Sequence, residues 1–395
     1  MKWTNKGHQY DEIGKRFAGV NRIYLYGAGT KGGEALRQLA FSDVPITFVD
    51  RDDEKQCLGF CGHNVISPAQ LYREHTDVKS IVILTMDTYF RAKRNLLSMG
   101  WRDGVDVFDW NFFNEFYIHI FAMYRHEKLH INNACEWITT KCTLNCRNCC
   151  QFINFLPREN KSFDQVIDEI DTFFSLVDFL NIMYMQGGEI TIHPDCIDSI
   201  NYIYDKYSSR FADLIIFTNG LWPASLDRER LLTALKRPKV HIYWSDYSEN
   251  IGEKIRVKIH ENIEFLHNNG IDVIHIKPAW VDLGNGEFEE HSEDWHTDRF
   301  NDCCVSSNPH ENKFAHCTQS YEWARRIFGL DYRPHIEKDW ISLKNDGNPL
   351  HKHILLETYL GFTESGYTEM CGYCRGWLGV NNTSIPTGVQ QEVAM

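Results

Sequence analysis

Cys142-Thr-Leu-Asn-Cys146-Arg-Asn-Cys149 places three cysteines on one short loop, just after the strand-like segment Ala134–Thr140. Cysteine sulfur is the usual protein ligand of iron–sulfur clusters, so this C-x3-C-x2-C run suits a four-iron cluster. Three ligands leave one iron open, and an open coordination position is where chemistry takes place. A zinc site is the alternative, with Cys135 or Cys150 as a fourth ligand.

A second motif, Gly187-Gly188-Glu189, follows the apolar run Ile182-Met-Tyr-Met185. Small residues let the backbone approach a ligand, and a carboxylate suits a cationic amine. The two motifs together resemble the radical S-adenosylmethionine (radical SAM) superfamily. The resemblance implies that Cys142, Cys146 and Cys149 bind the catalytic [4Fe–4S] cluster. It also implies that the Gly-Gly-Glu segment contacts the methionine amino group of SAM.

In that family, one electron from the reduced cluster cleaves SAM to methionine and a 5′-deoxyadenosyl radical, which abstracts a hydrogen atom from the substrate. The resemblance therefore implies a small-molecule substrate and a one-electron donor such as a flavodoxin or ferredoxin. Many family members place an aromatic residue before the third cysteine, where this chain has Asn148. The resemblance does not extend to the local packing of the adenine.

From Ala134 onward the sequence repeats a pattern of apolar strand, polar loop and helix, which predicts a partial barrel with its active site at the carboxyl ends of the strands. Two later strands end in Thr218-Asn219 and in Ser245-Asp246. By resemblance, these four residues contact the ribose and carboxylate of SAM. The alternative is a turn at Thr218-Asn219 and a helix cap at Ser245-Asp246. Radical SAM barrels of this kind usually have six parallel strands.

The N-terminal region carries a dinucleotide-binding fingerprint. A short apolar strand, Arg22–Tyr26, leads into a loop with Gly27, Gly29 and Gly32, and a second strand ends at Asp50. Such glycines allow a tight turn and close phosphate approach, and the acid suits a ribose. The region also resembles small Rossmann-like domains of sugar-modifying and polysaccharide-biosynthesis enzymes. Its ligand could be a nucleotide or nucleotide-sugar or an NAD-type cofactor, and a structural or docking domain is the third alternative.

The remaining cysteines beyond the barrel resemble the auxiliary-cluster extensions, of SPASM or twitch type, that follow many radical SAM barrels. The last pair forms a C-x2-C within Met370-Cys-Gly-Tyr-Cys-Arg-Gly376. We predict one auxiliary [4Fe–4S] cluster held by Cys304, Cys317, Cys371 and Cys374. Cys303 is the rival for the first ligand position, and a zinc site with the same thiols is the alternative.

The composition is that of an ordinary globular protein: 395 residues, 43% hydrophobic and 24% charged. A net charge of −13 disfavours a nucleic-acid or anionic-membrane partner, and no run of eighteen apolar residues predicts a membrane span. Thirteen cysteines without an apolar signal region favour metal ligation in a reducing cytoplasm.

These patterns predict an α/β chain of several regions. A Rossmann-like parallel sheet (1–113) is followed by a linker helix (114–133), a partial (β/α)6 radical SAM barrel (134–300), an auxiliary-cluster region (301–380) and a mobile tail (381–395). The predicted function is hydrogen abstraction from a sugar or nucleotide-sugar, leading to oxidation, epimerisation or dehydration. A maturase of ribosomal peptides is the rival enzyme. An iron–sulfur or zinc redox or regulatory binding protein is the alternative from another class.

Overall fold

The computed structural model describes residues 1–73, 79–284, 287–303, 308–310, 312–317, 324, 329, 339–344, 347–377 and 380–391. Two compact units divide the chain. The first unit comprises His8–Asn132 and Val177–Phe179, and the second comprises Met1–Gly7, Asn133–Leu176 and Leu180–Met395. The segment 114–133, predicted as a linker helix, therefore belongs almost entirely to the first unit.

The first unit alternates helices and strands. Its helices are α1 (Asp11–Phe17), α2 (Thr30–Gln38), α3 (Asp53–Leu58), α4 (Pro68–Arg73), α5 (Phe90–Ser98), α6 (Trp110–Phe112) and α7 (Ile118–His126), the last two joined by a π-helical turn at Phe113–Tyr117. Its strands are β1 (Arg22–Tyr26), β2 (Ile46–Val49), β3 (Val65–Ile66), β4 (Ser80–Leu84) and β5 (Val107–Asp109).

The sheet of the first unit is parallel, with the strand order β3-β2-β1-β4-β5. The register pairs Tyr26 of β1 with Val49 of β2 and with Leu84 of β4. These strands are almost continuously apolar because helices cover both faces of such a sheet. The buried cluster on this sheet includes Tyr24, Val82 and Leu96. The Rossmann-like architecture predicted from the sequence is confirmed.

The second unit contains the barrel region and the C-terminal segments. The strands β6 (Leu129–Thr139) and β7 (Val177–Gly187) begin at the boundary with the first unit, and β8 (Phe211–Thr218), β9 (Val240–Ser245) and β10 (Val273–Ile276) follow. The helices between them are α8 (Phe163–Leu176), α9 (Cys196–Tyr207), α10 (Arg228–Leu235) and α11 (Glu253–Asn268).

The barrel strands form one sheet in the order β10-β9-β8-β7-β6, and the pairs from β7 to β10 are parallel. The predicted α/β fold class is confirmed, with five strands among the described residues where the family usually has six. After β10 the chain passes Pro278 and forms β11 (Trp280–Val281). This short strand pairs antiparallel with β15 (Ser384–Ile385), so it does not extend the sheet.

The region after the barrel is built from short elements. These are α12 (Glu293–Asp302), β12 (Asn308–His310), β13 (Lys313–Ala315), β14 (Ile341–Ser342) and α13 (His351–Tyr359). The strands β12, β13 and β14 form an antiparallel sheet. Buried Val281, Leu283, Ala315 and Met370 pack in one apolar cluster, which ties this region to β11.

Of the segment 381–395, predicted as a mobile tail, the structure describes 381–391. These residues include β15 and make hydrogen bonds to other parts of the second unit. The mobility of the segment stays a prediction. Within the described ranges, no helix combines the length and apolar character that crossing a membrane requires.

Candidate active site

A cavity of about 380 Å³ lies at the carboxyl ends of the barrel strands. Most of the residues predicted for cluster and SAM binding line it together, namely Cys142, Cys146, Cys149, Gly187, Gly188, Thr218, Asn219 and Ser245. They come from the last residues of β7, β8 and β9 and from the loops that follow β6, β7 and β8. Parallel neighbouring strands end at the same edge of the sheet, so their terminal residues meet although they are distant in sequence.

The Gly-Gly-Glu segment holds the start of the cysteine loop by two backbone hydrogen bonds. The Gly188 N–H donates to the Thr139 carbonyl at 2.9 Å, and the Glu189 N–H donates to the Lys141 carbonyl at 2.8 Å. A Cβ on Gly188 would collide with the Lys141 carbonyl oxygen, and Gly187 has a φ of +128° that side chains rarely adopt. The segment therefore has a structural role in holding the loop that begins at Cys142.

Glu189 lies beneath the cavity and does not line it. The side chain is fully buried, and one carboxylate oxygen accepts from the Thr191 N–H at 3.3 Å, the Thr191 hydroxyl at 2.7 Å and the Thr218 hydroxyl at 2.9 Å. The other oxygen accepts from the Asn219 N–H at 2.7 Å. Burial raises the pKa of Glu189, although these donors oppose the rise. The carboxylate thus fixes the loop after β8.

Asn219 connects that loop to the cysteine loop. Its side-chain amide donates to the Cys142 sulfur at 3.5 Å and to the Thr143 hydroxyl at 3.1 Å. Glu189 holds the backbone N–H of the same residue. The Gly-Gly-Glu segment, the Thr218-Asn219 turn and the first cysteine therefore form one hydrogen-bonded unit.

The three thiols fit a cluster by their chemistry and surroundings. Burial raises the pKa values of Cys142 and Cys146 to about 12 and also raises that of Cys149. These thiols are therefore neutral near pH 7 until a metal displaces their protons. In the described part of the chain, no group of three or more Cys, His, Asp or Glu side chains converges on a single metal-ion position. Thiolates on separate irons of a cluster need not converge in that way, and zinc stays the alternative that the sequence left open.

Ser245 and Asp246 point to different surroundings. Ser245 lines the cavity, whereas one Asp246 oxygen pairs with the His275 ring at 2.8 Å and the other accepts from the Ser248 N–H at 2.8 Å. Neighbouring residues at the end of a strand face opposite sides, so a joint contact to one ligand is not expected. Asp246 closes a local turn by accepting from the Ser248 N–H, and its contact with SAM stays a prediction.

Several lining residues were missed by the sequence analysis. The aromatic ones are Trp137, Phe217, Trp280 and Trp377, and the polar ones include Gln151 and Gln186. Gln186 and Phe217 directly precede Gly187 and Thr218 at strand ends, so strand-end position could have indicated them. Nothing in the sequence brings Trp377 here, because it lies far along the chain. Cys150, the possible fourth ligand of a zinc site, and Tyr247 also line the cavity.

A second group of thiols lies in the C-terminal region. Burial raises the pKa of Cys371 to about 11 and that of Cys374 to about 12, and Cys303 is close enough to both to add to the rise. The Gly376 N–H donates to the Cys374 sulfur at 3.3 Å, and the Trp377 N–H donates to the Cys303 sulfur at 3.3 Å. Backbone N–H groups aimed at sulfur suit a cluster ligand.

The other two predicted auxiliary ligands are Cys304 and Cys317. Cys304 lies outside the described residues, and Cys317, half-buried, lies two residues beyond β13. The choice between Cys303 and Cys304 as the first ligand stays open.

The glycine loop of the first unit and its acid meet, as the fingerprint predicts. One Asp50 oxygen accepts from the Ala28 N–H at 2.8 Å, and Lys55 donates to the Ala28 carbonyl at 2.7 Å. A Cβ on Gly32 would collide with the Gly27 carbonyl, which accounts for glycine at the start of α2. Asp50 therefore stabilises the loop, and its contact with a ribose stays a prediction.

No protein-family model matches the chain, and no curated protein matches it. Solved structures with similar chains include histidine-tagged anSMEcpe with bound AdoMet, at 13% identity and a TM-score of 0.29. That match covers 37% of this chain and 43% of the other, so it spans less than half of that protein. BtrN in complex with AdoMet and 2-DOIA matches at 13% identity and a TM-score of 0.32, over 67% of this chain and 98% of the other.

The arrangement at the cavity can be compared with the motifs read from the sequence. The three-cysteine loop and the Gly-Gly-Glu segment lie together at the carboxyl edge of the barrel sheet. This arrangement agrees with the radical SAM enzyme that the sequence motifs resemble.

Proposed function

We propose that the chain is a radical SAM enzyme whose chemistry takes place in the cavity at the carboxyl edge of the barrel sheet. One observation carries the proposal: Cys142, Cys146 and Cys149 share that cavity with Gly187-Gly188 and with Thr218-Asn219. A cluster-containing redox or regulatory protein would need the thiols and the segments that hold their loop, but it would have no use for a cavity of about 380 Å³ beside them.

The residues of the chain have distinct tasks in this proposal. Cys142, Cys146 and Cys149 would hold a [4Fe–4S] cluster, and SAM would lie in the cavity that Gly187 and Gly188 line beside them. When bound, the reduced cluster and SAM supply the 5′-deoxyadenosyl radical that abstracts hydrogen from the substrate. Glu189 positions the strand-end loops by accepting their hydrogen bonds. The aromatic side chains that line the cavity would limit the access of water to the radical.

For the substrate we propose a sugar or nucleotide-sugar. Support comes from the first unit, whose parallel sheet carries a glycine loop held by Asp50 at the carboxyl end of β1. The switch point of such sheets is a common position for nucleotide ligands. Cys371 and Cys374 would hold an auxiliary [4Fe–4S] cluster together with Cys317 and with either Cys304 or its rival Cys303. A flavodoxin or ferredoxin would supply electrons.

The central experiment is anaerobic reconstitution with iron and sulfide, followed by iron counting and addition of dithionite and SAM. We expect about eight irons per chain, as two four-iron clusters require, and 5′-deoxyadenosine detected by mass spectrometry. About four irons with deoxyadenosine would assign the C-terminal thiols to zinc or to no metal. Absence of both iron and deoxyadenosine would refute the proposal.

The ligand of the first unit is tested by calorimetric titration of the full chain. UDP-, GDP- and CDP-sugars are compared with NAD, and we expect binding of one nucleotide-sugar. An Asp50→Ala variant should lose this binding, because the glycine loop loses the acceptor for its Ala28 N–H. Binding of none of these ligands would refute the nucleotide hypothesis and turn the search to peptide substrates.

A further inference from the structure

The C-terminal segment, residues 380–391, runs from the second group of thiols to the three-cysteine loop. At its start, the Asn381 side chain donates to the Gly376 carbonyl at 3.0 Å and to the Asp282 carbonyl at 2.7 Å. The strand β15 then pairs with β11, and Asn250 donates to the Thr387 carbonyl at 2.8 Å. The segment is therefore anchored along its length before it reaches the cysteine loop.

At its far end the segment pairs with the backbone around Cys146. The Arg147 N–H donates to the Val389 carbonyl at 2.7 Å, and the Gln391 N–H donates to the Asn145 carbonyl at 2.8 Å. These bonds form an antiparallel bridge between Cys146 and Gln390. Both sides of the second cysteine are thus fixed by residues from the other end of the chain.

The side chain of Gln390 is held in one orientation. Its carbonyl oxygen accepts from the Asn145 N–H at 2.8 Å, so its NH2 group must face the other way. That NH2 group donates to the Gly388 carbonyl at 2.7 Å and to the Cys146 sulfur at 3.4 Å. The Asn145 N–H fixes this orientation. If the Gln390 amide were inverted, its NH2 group would face the Asn145 N–H, and neither group would have an acceptor.

We propose that Gln390 is a positioning residue that donates an N–H···S hydrogen bond to Cys146 and thereby raises the reduction potential of the catalytic cluster. The inference rests on the proposed function, because it needs a cluster on the three thiols. Hydrogen bonds to the sulfurs are among the features that set the potential of such clusters. A donor stabilises the additional negative charge of the reduced state, so it makes reduction easier.

The test compares Gln390→Leu with a matched control, Gln391→Leu. Gln391 lies in the same bridge, but its side chain donates to the Arg147 carbonyl and to no sulfur. Each full-length protein is reconstituted anaerobically, its iron is counted, and its midpoint potential is measured by a titration followed by EPR. We expect a more negative potential for Gln390→Leu and an unchanged one for Gln391→Leu.

A third variant separates the hydrogen bond from the shape of the side chain. Gln390→Glu keeps the length and the acceptor for Asn145 but replaces the donor with a carboxylate, so its potential should be the most negative. It also provides the comparison if Gln390→Leu fails to hold its cluster. Equal potentials in wild type and the Gln390 variants would overturn the inference alone. A wild-type chain that binds no iron would overturn the proposed function as well.

Discussion

Gly188 illustrates how a single residue of the Gly-Gly-Glu segment serves the fold before it serves a ligand. Its N–H bonds to the end of β6, and its missing side chain leaves room for the Lys141 carbonyl next to Cys142. The family resemblance assigns this segment to SAM. The structure adds a second reason for glycine, since any Cβ here would displace the loop that carries the thiols.

Replacement of Gly188 by alanine tests this role. We expect Gly188→Ala to lose most of its reconstituted iron and its SAM cleavage, because the cysteine loop must move away from the added methyl group. Iron content and 5′-deoxyadenosine are the measurements. Gly252→Ala is the control, since a Cβ there meets open space at the start of α11. Normal iron content in Gly188→Ala would contradict the expected displacement.

Glu189 gives a second prediction at the scale of the residue. In Glu189→Gln, one side-chain NH2 must face the Asn219 N–H or the Thr191 and Thr218 donors. A buried donor left without an acceptor costs about 1–3 kcal/mol. Because the loop after β8 then loses a contact that holds it at the cavity, we expect the SAM affinity of the cluster-loaded protein, measured by calorimetry, to fall roughly 5- to 150-fold. Glu249→Gln, at an exposed site after β9, should bind SAM as wild type does.

At the scale of elements, a buried charge cluster joins β6 to α8. The Lys161 ammonium lies 2.7 Å from the Glu136 carboxylate on β6 and 2.7 Å from that of Glu169 on α8. Burial by itself lowers the pKa of Lys161, but the two carboxylates raise it overall. Lys161 follows the cysteine loop in sequence. Its ion pairs with Glu136 and Glu169 therefore hold the end of that loop against β6 and α8.

Removal of the lysine should destabilise the second unit strongly. Lys161→Met leaves Glu136 buried without its cation, which costs about 3–5 kcal/mol of unfolding free energy. Lys206→Met removes an exposed pair with Asp171 and should cost less than about 1 kcal/mol. Urea unfolding of both variants makes the comparison. Similar losses of unfolding free energy in the two variants would show that the buried Lys161 ion pairs stabilise the protein no more than a surface ion pair does.

The same variant has a predictable pH dependence. Burial raises the pKa of Glu136, and in Lys161→Met no ammonium opposes that rise. A carboxyl group whose pKa is raised in the folded state destabilises the protein at pH values above its unfolded pKa of about 4.3. This penalty is relieved as the pH falls. In wild type the pKa of Glu136 is already raised to about 8, so the difference in unfolding free energy between Lys161→Met and wild type should shrink as the pH falls through about 8. A constant difference would contradict this explanation.

At the scale of the whole molecule, the second unit carries two groups of thiols with different surroundings. Cys142, Cys146 and Cys149 share a cavity with the predicted SAM residues, whereas Cys371 and Cys374 lie with Cys303 beyond the barrel. The two groups should therefore respond separately to substitution.

Single substitutions distinguish the two groups. Cys142→Ala and Cys371→Ala should each lose about four irons per chain. Only Cys142→Ala should abolish deoxyadenosine formation, because the second group does not line the SAM cavity through its sulfurs. Loss of SAM cleavage in both variants, at normal folding by circular dichroism, would mean that the groups act as one site.

The sequence by itself determined the fold class and the edge of the sheet at which the motifs meet. Apolar strands ending in polar residues predict parallel sheets, and parallel strands end at a common edge, so Cys142, Gly187, Thr218 and Ser245 are predicted to lie close together. The roles of these residues toward SAM come from the family resemblance and stay predictions.

Tertiary structure alone decided the roles that depend on distant contacts. It showed Glu189 as the acceptor beneath the cavity and separated the surroundings of Asp246 from those of Ser245. It also brought Gln390 to Cys146, 244 residues away in sequence. Such contacts leave no periodicity or spacing in the sequence. Their partners are set by packing between remote segments, which only the folded chain specifies.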